Sequence, residues 1–210
     1  MSKYLESLIA EGEHQRQDFK YCISDARKIA RSISAFANTD GGRLLIGIRD
    51  NGSVAGVSSD EEYYMIESAA ALYCKPEVEF STDIRKTDSK TVFIITIPTG
   101  NQKPYLAQQE DGRWLAYIRR DDQNLLANKV ILNTWKLRKD NKDLFIEFRK
   151  AESLLISYLK KNESISLSKF IKISGLRKSR AEWILAKLIV LGTLSYDLSE
   201  EGCKYLPSRS

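Results

Sequence analysis

Four consecutive residues, Arg177-Lys178-Ser179-Arg180, bring phosphate-binding chemistry together near the C-terminus. Arginine offers a planar fork that chelates guanine or a phosphate, while lysine and serine make single contacts to backbone oxygens. The four precede a run of apolar residues, Ala181, Ile184, Leu185, Leu188 and Leu191, at helical spacing. The spacing predicts a helix capped by Ser179 whose N-terminal end presents this cluster to a polyanion. Lys187 lies two turns further on and is placed for a backbone contact. Trp183 is read as packing against a neighbouring helix, because large aromatic rings favour burial.

Other reactive chemistry is thin. One histidine, His14, and three scattered cysteines, Cys22, Cys74 and Cys203, exclude a structural zinc site. They also argue against a disulfide framework and for a reducing compartment. Residues 42–47, Gly42-Arg43-Leu44-Leu45-Ile46-Gly47, have the outer spacing of a phosphate loop, but Ile48-Arg49 stands where Lys-Ser/Thr is required. That segment reads as a strand. No cofactor is expected from these residues.

The elements that must position the candidate groups follow from periodicity. Residues 4–10 read as a short helix that Gly12 ends. Ser24 stands at an N-cap position with Asp25 in the first turn, and Ile29, Ile33, Phe36 and Ala37 continue a helix to Asn38. Residues 38–42 form a helix exit that needs a positive φ, and Gly47 lets another backbone come close. Residues 44–48 read as a strand, Asp50-Asn51-Gly52 as a turn, and residues 54–57 as a short returning strand. A helix over 60–73, strands at 78–84, 92–97 and 114–119, and a closing helix over 124–135 complete the first domain. The mixture is α+β, with a mixed or mainly antiparallel sheet and flanking helices.

Residues 136–143 are nearly all polar and read as a linker. Beyond it come a helix over 144–161, a short helix capped by Ser166 or Ser168 and ended by Gly175, the basic third helix ended by Gly192, and a strand at 193–196. This is a small winged-helix pattern, and the chain divides into domains 1–138 and 139–210. The charge divides with it. The net charge is +5, and residues 146–210 carry 12 basic and 7 acidic side chains against 21 of each before them. A basic surplus on a small domain is the footprint of a polyanion binder. Asp197, Glu200 and Glu201 lie in the wing and would repel phosphate. No apolar run is long enough to span a membrane, and no secretory signal is expected.

One ordered set of motifs carries a family resemblance. Gly12-Glu13-His14-Gln15-Arg16-Gln17-Asp18-Phe19-Lys20 is followed by Ser34-Ala35-Phe36-Ala37-Asn38-Thr39-Asp40-Gly41-Gly42. Next come Leu44-Leu45-Ile46-Gly47-Ile48-Arg49-Asp50-Asn51-Gly52 and Val54-Ala55-Gly56, then Lys103-Pro104-Tyr105 and Tyr117-Ile118-Arg119. Over about residues 1–135 this resembles the Schlafen AlbA-type domain, a DNA-binding domain; residues 36–56 are its most specific part. In some Schlafens the domain is a metal-dependent RNA nuclease built on three carboxylates. On this chain the resemblance implies Glu13, Asp18 and Asp50 as metal ligands and catalytic groups for Mg²⁺ or Mn²⁺, with Lys20 neutralising phosphate. Asp18 stands where the family usually has Glu. Lys103 and Arg119 are candidates for nucleic-acid backbone contact, although Arg119-Arg120-Asp121-Asp122 departs from the family's Arg-x-Gly ending.

The reading that emerges is a cytoplasmic nucleic-acid-binding protein, a DNA-binding transcriptional regulator. DNA is the expected partner and RNA the other candidate. A homodimer would suit paired half-sites, and no membrane partner is expected. The enzymatic alternative is a Schlafen-type nuclease acting on RNA or single-stranded DNA. The third is a dimeric protein-interaction scaffold.

Overall fold

The computed structural model describes residues 3–87, 90–140 and 149–208. The chain divides into two compact units, Met1–Leu126 and Ala127–Ser210. Its class is mixed α+β.

In the first unit the order is α1 (Lys3–Glu11), β1 (Gln17–Lys20), α2 (Ala26–Asn38), β2 (Gly42–Ile46), α3 (Glu61–Ala71), β3 (Cys74–Lys75), β4 (Ser81–Thr87), β5 (Lys90–Ile97), β6 (Leu106–Gln108), β7 (Trp114–Arg120) and β8 (Gln123–Leu126). One sheet runs β1-β2-β5-β4 and the other β3-β6-β7-β8. Among the described residues only β1 and β2 pair in parallel, with Gln17 opposite Arg43 and Lys20 opposite Ile46; the other strand pairs are antiparallel.

Strand alternation builds two apolar layers from the first sheet. Leu44, Ile46, Phe93 and Ile95 join Ile33 and Phe36 of α2 in the main core, whereas Leu45, Val92 and Ile94 pack with Leu5 and Leu8 of α1 and with Phe19. Helix α2 packs against both sheets, which is why nine of its thirteen residues are buried. Its N-cap is Asp25, whose side chain accepts from Arg27 N, so Asp25 takes the role that spacing assigned to Ser24. The helix ends at Asn38 with Thr39 as its C-cap, and the chain turns away at Gly41, whose φ is +69° and whose N–H lies 3.0 Å from Phe36 O. Gly47, at φ +93°, lies so close to Gly56 that a Cβ would meet its carbonyl carbon at 2.8 Å. Residues 54–57 add only a single bridge, Ile48 to Val54, in place of the expected strand.

The second unit contains α4 (Lys129–Lys139), α5 (Lys150–Leu159), β9 (Ile165–Ser166), α6 (Leu167–Ser174), α7 (Lys178–Val190), β10 (Leu194–Ser199) and β11 (Gly202–Pro207). Residues 124–126, expected to open a helix, instead pair with β7 as β8; the helix starts after Asn128, which caps it by accepting from Ile131 N. Helix α4 packs on α7 and places Val130 and Leu137 in the second unit's core, so it does not close the first domain. Ser166 caps α6 and Gly175 ends it at φ +67°. The strand expected at 193–196 extends to Ser199 and returns as β11, with Glu200 and Glu201 forming the two-residue turn between Ser199 and Gly202. Residues 141–148, including the end of the expected linker and the start of the helix expected from 144, lie outside the described residues.

Candidate nucleic-acid interface

Helix α7 is buried along most of its circumference, with Ala181, Ile184, Leu185, Leu188 and Ile189 all in the second core. Its first turn is free of that packing. Arg177, Lys178, Ser179 and Arg180 are all exposed. Arg177, not Ser179, is the N-cap, and its side chain makes no capping bond. The helix therefore begins with unsatisfied N–H groups beside three cations, and both features favour an anion. None of the three basic side chains has an ion-pair partner among the described residues. Lys187 is half-buried, two turns on from Arg180 and on its face. Trp183, also half-buried, packs against the second core.

The motif residues of the first unit gather at a different kind of site. Arg119 on β7 is 1% exposed and reaches the inward face of β1. Its Nη2 donates to Asp18 Oδ1 at 3.3 Å, Gln17 O at 3.1 Å and His14 O at 3.3 Å, and its Nη1 donates to Asn124 Oδ1 at 3.2 Å. The guanidinium lies 5.1 Å from the centre of the Phe36 ring. Both Nη groups face protein acceptors and the buried Nε has none among the described residues, so this arginine does not stand at the surface where a phosphate contact requires it. Lys20 pairs with Asp18 Oδ2 at 2.6 Å and donates to Phe19 O at 2.8 Å. Lys103 is half-buried and donates to Thr39 O, a carbonyl at the end of α2, at 3.0 Å.

Of the three carboxylates, the structure brings two together. Glu13 accepts from Phe19 N at 2.9 Å and lies beside the Asp18 carboxylate. Burial, reinforced by the neighbouring Asp18 carboxylate, raises the Glu13 carboxyl above its ordinary value. Asp50 lies exposed in the turn after Ile48. Among the described residues no three of His, Cys, Asp and Glu gather closely enough to hold a metal ion. The donor set does not fit a divalent cation, because both Asp18 oxygens already face cations.

Residues that sequence reading left without a role join this cluster. Asn38 donates to Tyr105 O at 2.7 Å and Tyr117 O at 2.9 Å and accepts from Tyr105 N at 2.8 Å, tying α2 to the second sheet. Gln15 donates to Asp40 and to Arg119 O, each at 3.0 Å, and accepts from Asp121 N. Gln17 donates to Leu8 O and Gly12 O. The available signal was the set of short amides among apolar and charged neighbours. Such groups, once buried, are nearly always hydrogen-bonded.

An α+β domain of two sheets around one long helix, closed by an Asp–Arg cluster, is thus joined to a second unit with a basic helix start. A family model described as "Schlafen, AlbA_2" matches residues 13–128, more than half of the chain, and the chain belongs to that family. No curated protein matches it. Among solved structures it is similar to the DIP2311 protein from Corynebacterium diphtheriae, with TM-score 0.48 and 17% identity over 97% of this chain; the chain spans 38% of that protein. It is also similar to the N-terminal domain of a RecG-related protein from Nitrosomonas europaea, with TM-score 0.43 and 21% identity, covering 69% of this chain and 93% of that one. Among the described residues no helix is long and apolar enough to cross a membrane.

Proposed function

We propose that this protein binds nucleic acid as a DNA-binding regulator, through the start of α7. The observation that carries the reading is the exposed, unpaired trio Arg177, Lys178 and Arg180 at a helix N-terminus. Helices α5, α6 and α7 followed by the β10–β11 hairpin are read as a winged helix, in which α7 would lie in the major groove. Membership of the Schlafen AlbA_2 family supports nucleic acid as the partner class. Two copies, each offering one α7, would suit a two-fold operator. The nuclease alternative draws less support: Asp18 is taken by Lys20 and Arg119, and Asp50 stands outside the Glu13–Asp18 pair.

Fluorescence anisotropy with a duplex at low salt tests the reading. Replacing Arg177, Lys178 and Arg180 with alanine is expected to weaken binding by about tenfold to a hundredfold. The slope of log affinity against log salt should fall by about 2 to 3, one phosphate's worth of counterion release per lost contact. An intact protein that binds neither duplex nor single strand at low salt ends the proposal.

A further inference from the structure

The second unit contains a feature that polyanion binding leaves unused. A cavity of about 670 Å³ opens between the starts of α4, α6 and α7 and the β10–β11 hairpin. Val130, Leu167 and Ile171 give it an apolar lining. Glu182, one turn into α7, also lines it and is 7% exposed. Its carboxylate has no hydrogen-bond or ion-pair partner among the described residues. The Tyr205 phenol lines the same cavity; burial pushes it up, and the nearby Glu182 charge adds a little to that. An acid that lines a cavity without a partner of its own is a ready site for a cation entering that cavity.

The rim has the opposite character. Lys129, Lys178 and Lys204 are exposed there, and Glu201 is its one acid. A molecule complementary to the cavity thus needs a cation at its buried end, an apolar body, and an anion at its outer end. We propose that this cavity binds a small zwitterion with an apolar body, whose ammonium pairs with Glu182 and whose carboxylate or phosphate meets the rim lysines. Its size lies within the usual range for small-molecule sites, and such sites combine mostly apolar walls with a few placed polar groups. Lys178 belongs both to this rim and to the basic start of α7, so an occupant would neutralise part of that surface. The site itself does not depend on the nucleic-acid reading, because its occupancy is measured directly.

Three probes sharing one phenyl ring separate the contributions: phenylalanine with both charges, phenethylamine with the ammonium alone, and 3-phenylpropionate with the carboxylate alone. Calorimetric titration of the full chain should show phenylalanine binding most tightly. Glu182→Gln, which keeps the side chain's shape, should weaken phenylalanine and phenethylamine at least tenfold and leave 3-phenylpropionate unchanged. Lys204→Ala, at an exposed position, should weaken phenylalanine and 3-phenylpropionate and spare phenethylamine. Absence of binding by all three probes at millimolar concentration overturns the proposal. So does binding of 3-phenylpropionate as tight as that of phenylalanine, with Glu182→Gln indifferent.

Discussion

Arg119 meets the requirements of a buried cation. It has a carboxylate partner in Asp18, carbonyl acceptors in His14 and Gln17, and the face of Phe36 beneath it. Removing one partner of such a pair strands the other, which commonly costs about 3–5 kcal/mol. Arg119→Leu is therefore expected to lower unfolding free energy by about that amount in urea titrations, and an undisturbed midpoint would show that the cluster is not structural. Glu13 makes a different prediction. Its carboxyl is raised in the folded state, so the folded protein holds a proton that the unfolded chain releases. The stability this confers is present below the ordinary carboxylate value and is lost as pH rises through the raised one. Glu13→Gln keeps an acceptor for Phe19 N and removes the titration. Its melting temperature relative to the parent should improve between about pH 4 and about pH 7. A constant difference across that range would place the relevant titration elsewhere.

At the scale of the element, helix ends separate sequence expectation from structure. Ser24 and Asp25 are both good caps, and side-chain chemistry alone does not choose between them. The choice follows from the geometry of the backbone entering α2, where Asp25 has extended dihedrals and accepts from Arg27 N at 2.8 Å. Asp25→Ala should cost about 1 kcal/mol in denaturant unfolding, whereas Ser24→Ala should stay within about 0.5 kcal/mol. Equal losses would mean that the cap is shared. The β10–β11 hairpin places acids at its turn, Glu200 among them. If this hairpin serves as a wing, its charge opposes phosphate. Glu200→Gln should then tighten duplex binding about twofold at low salt, with the gain fading as salt is added. A weakened complex would assign the hairpin tip a contact of its own.

At the scale of the molecule, much was legible in sequence and some was not. The motif order from Glu13 to Arg119 pointed to the Schlafen AlbA family, which the match over residues 13–128 bears out. Helices α1, α2, α3 and α7 and strands β2, β5 and β7 follow the apolar periods that announce them, because each period reflects which face a residue turns to its own core. The short strands β3, β6 and β8 carry too few residues for a period to register. Local pattern placed the helix expected over 124–135 with the first domain, whereas α4 packs on α7, since an apolar stripe shows that a helix is buried without naming its partner. The partnership of Arg119 with Asp18 joins residues 101 positions apart, through the alternation of two strands in separate sheets. The basic start of α7 was already written in its four residues, and what the tertiary structure decided was that packing leaves it exposed. By itself the sequence determined the family, the α+β class and the chemistry available, because composition and local periodicity carry these. Only the tertiary structure decided which charges are spent inside the protein, as with Arg119 and Lys103, and which stand unpaired, as with Arg177 and Glu182. A charge's role depends on its burial and its partners, and distant parts of the chain supply both.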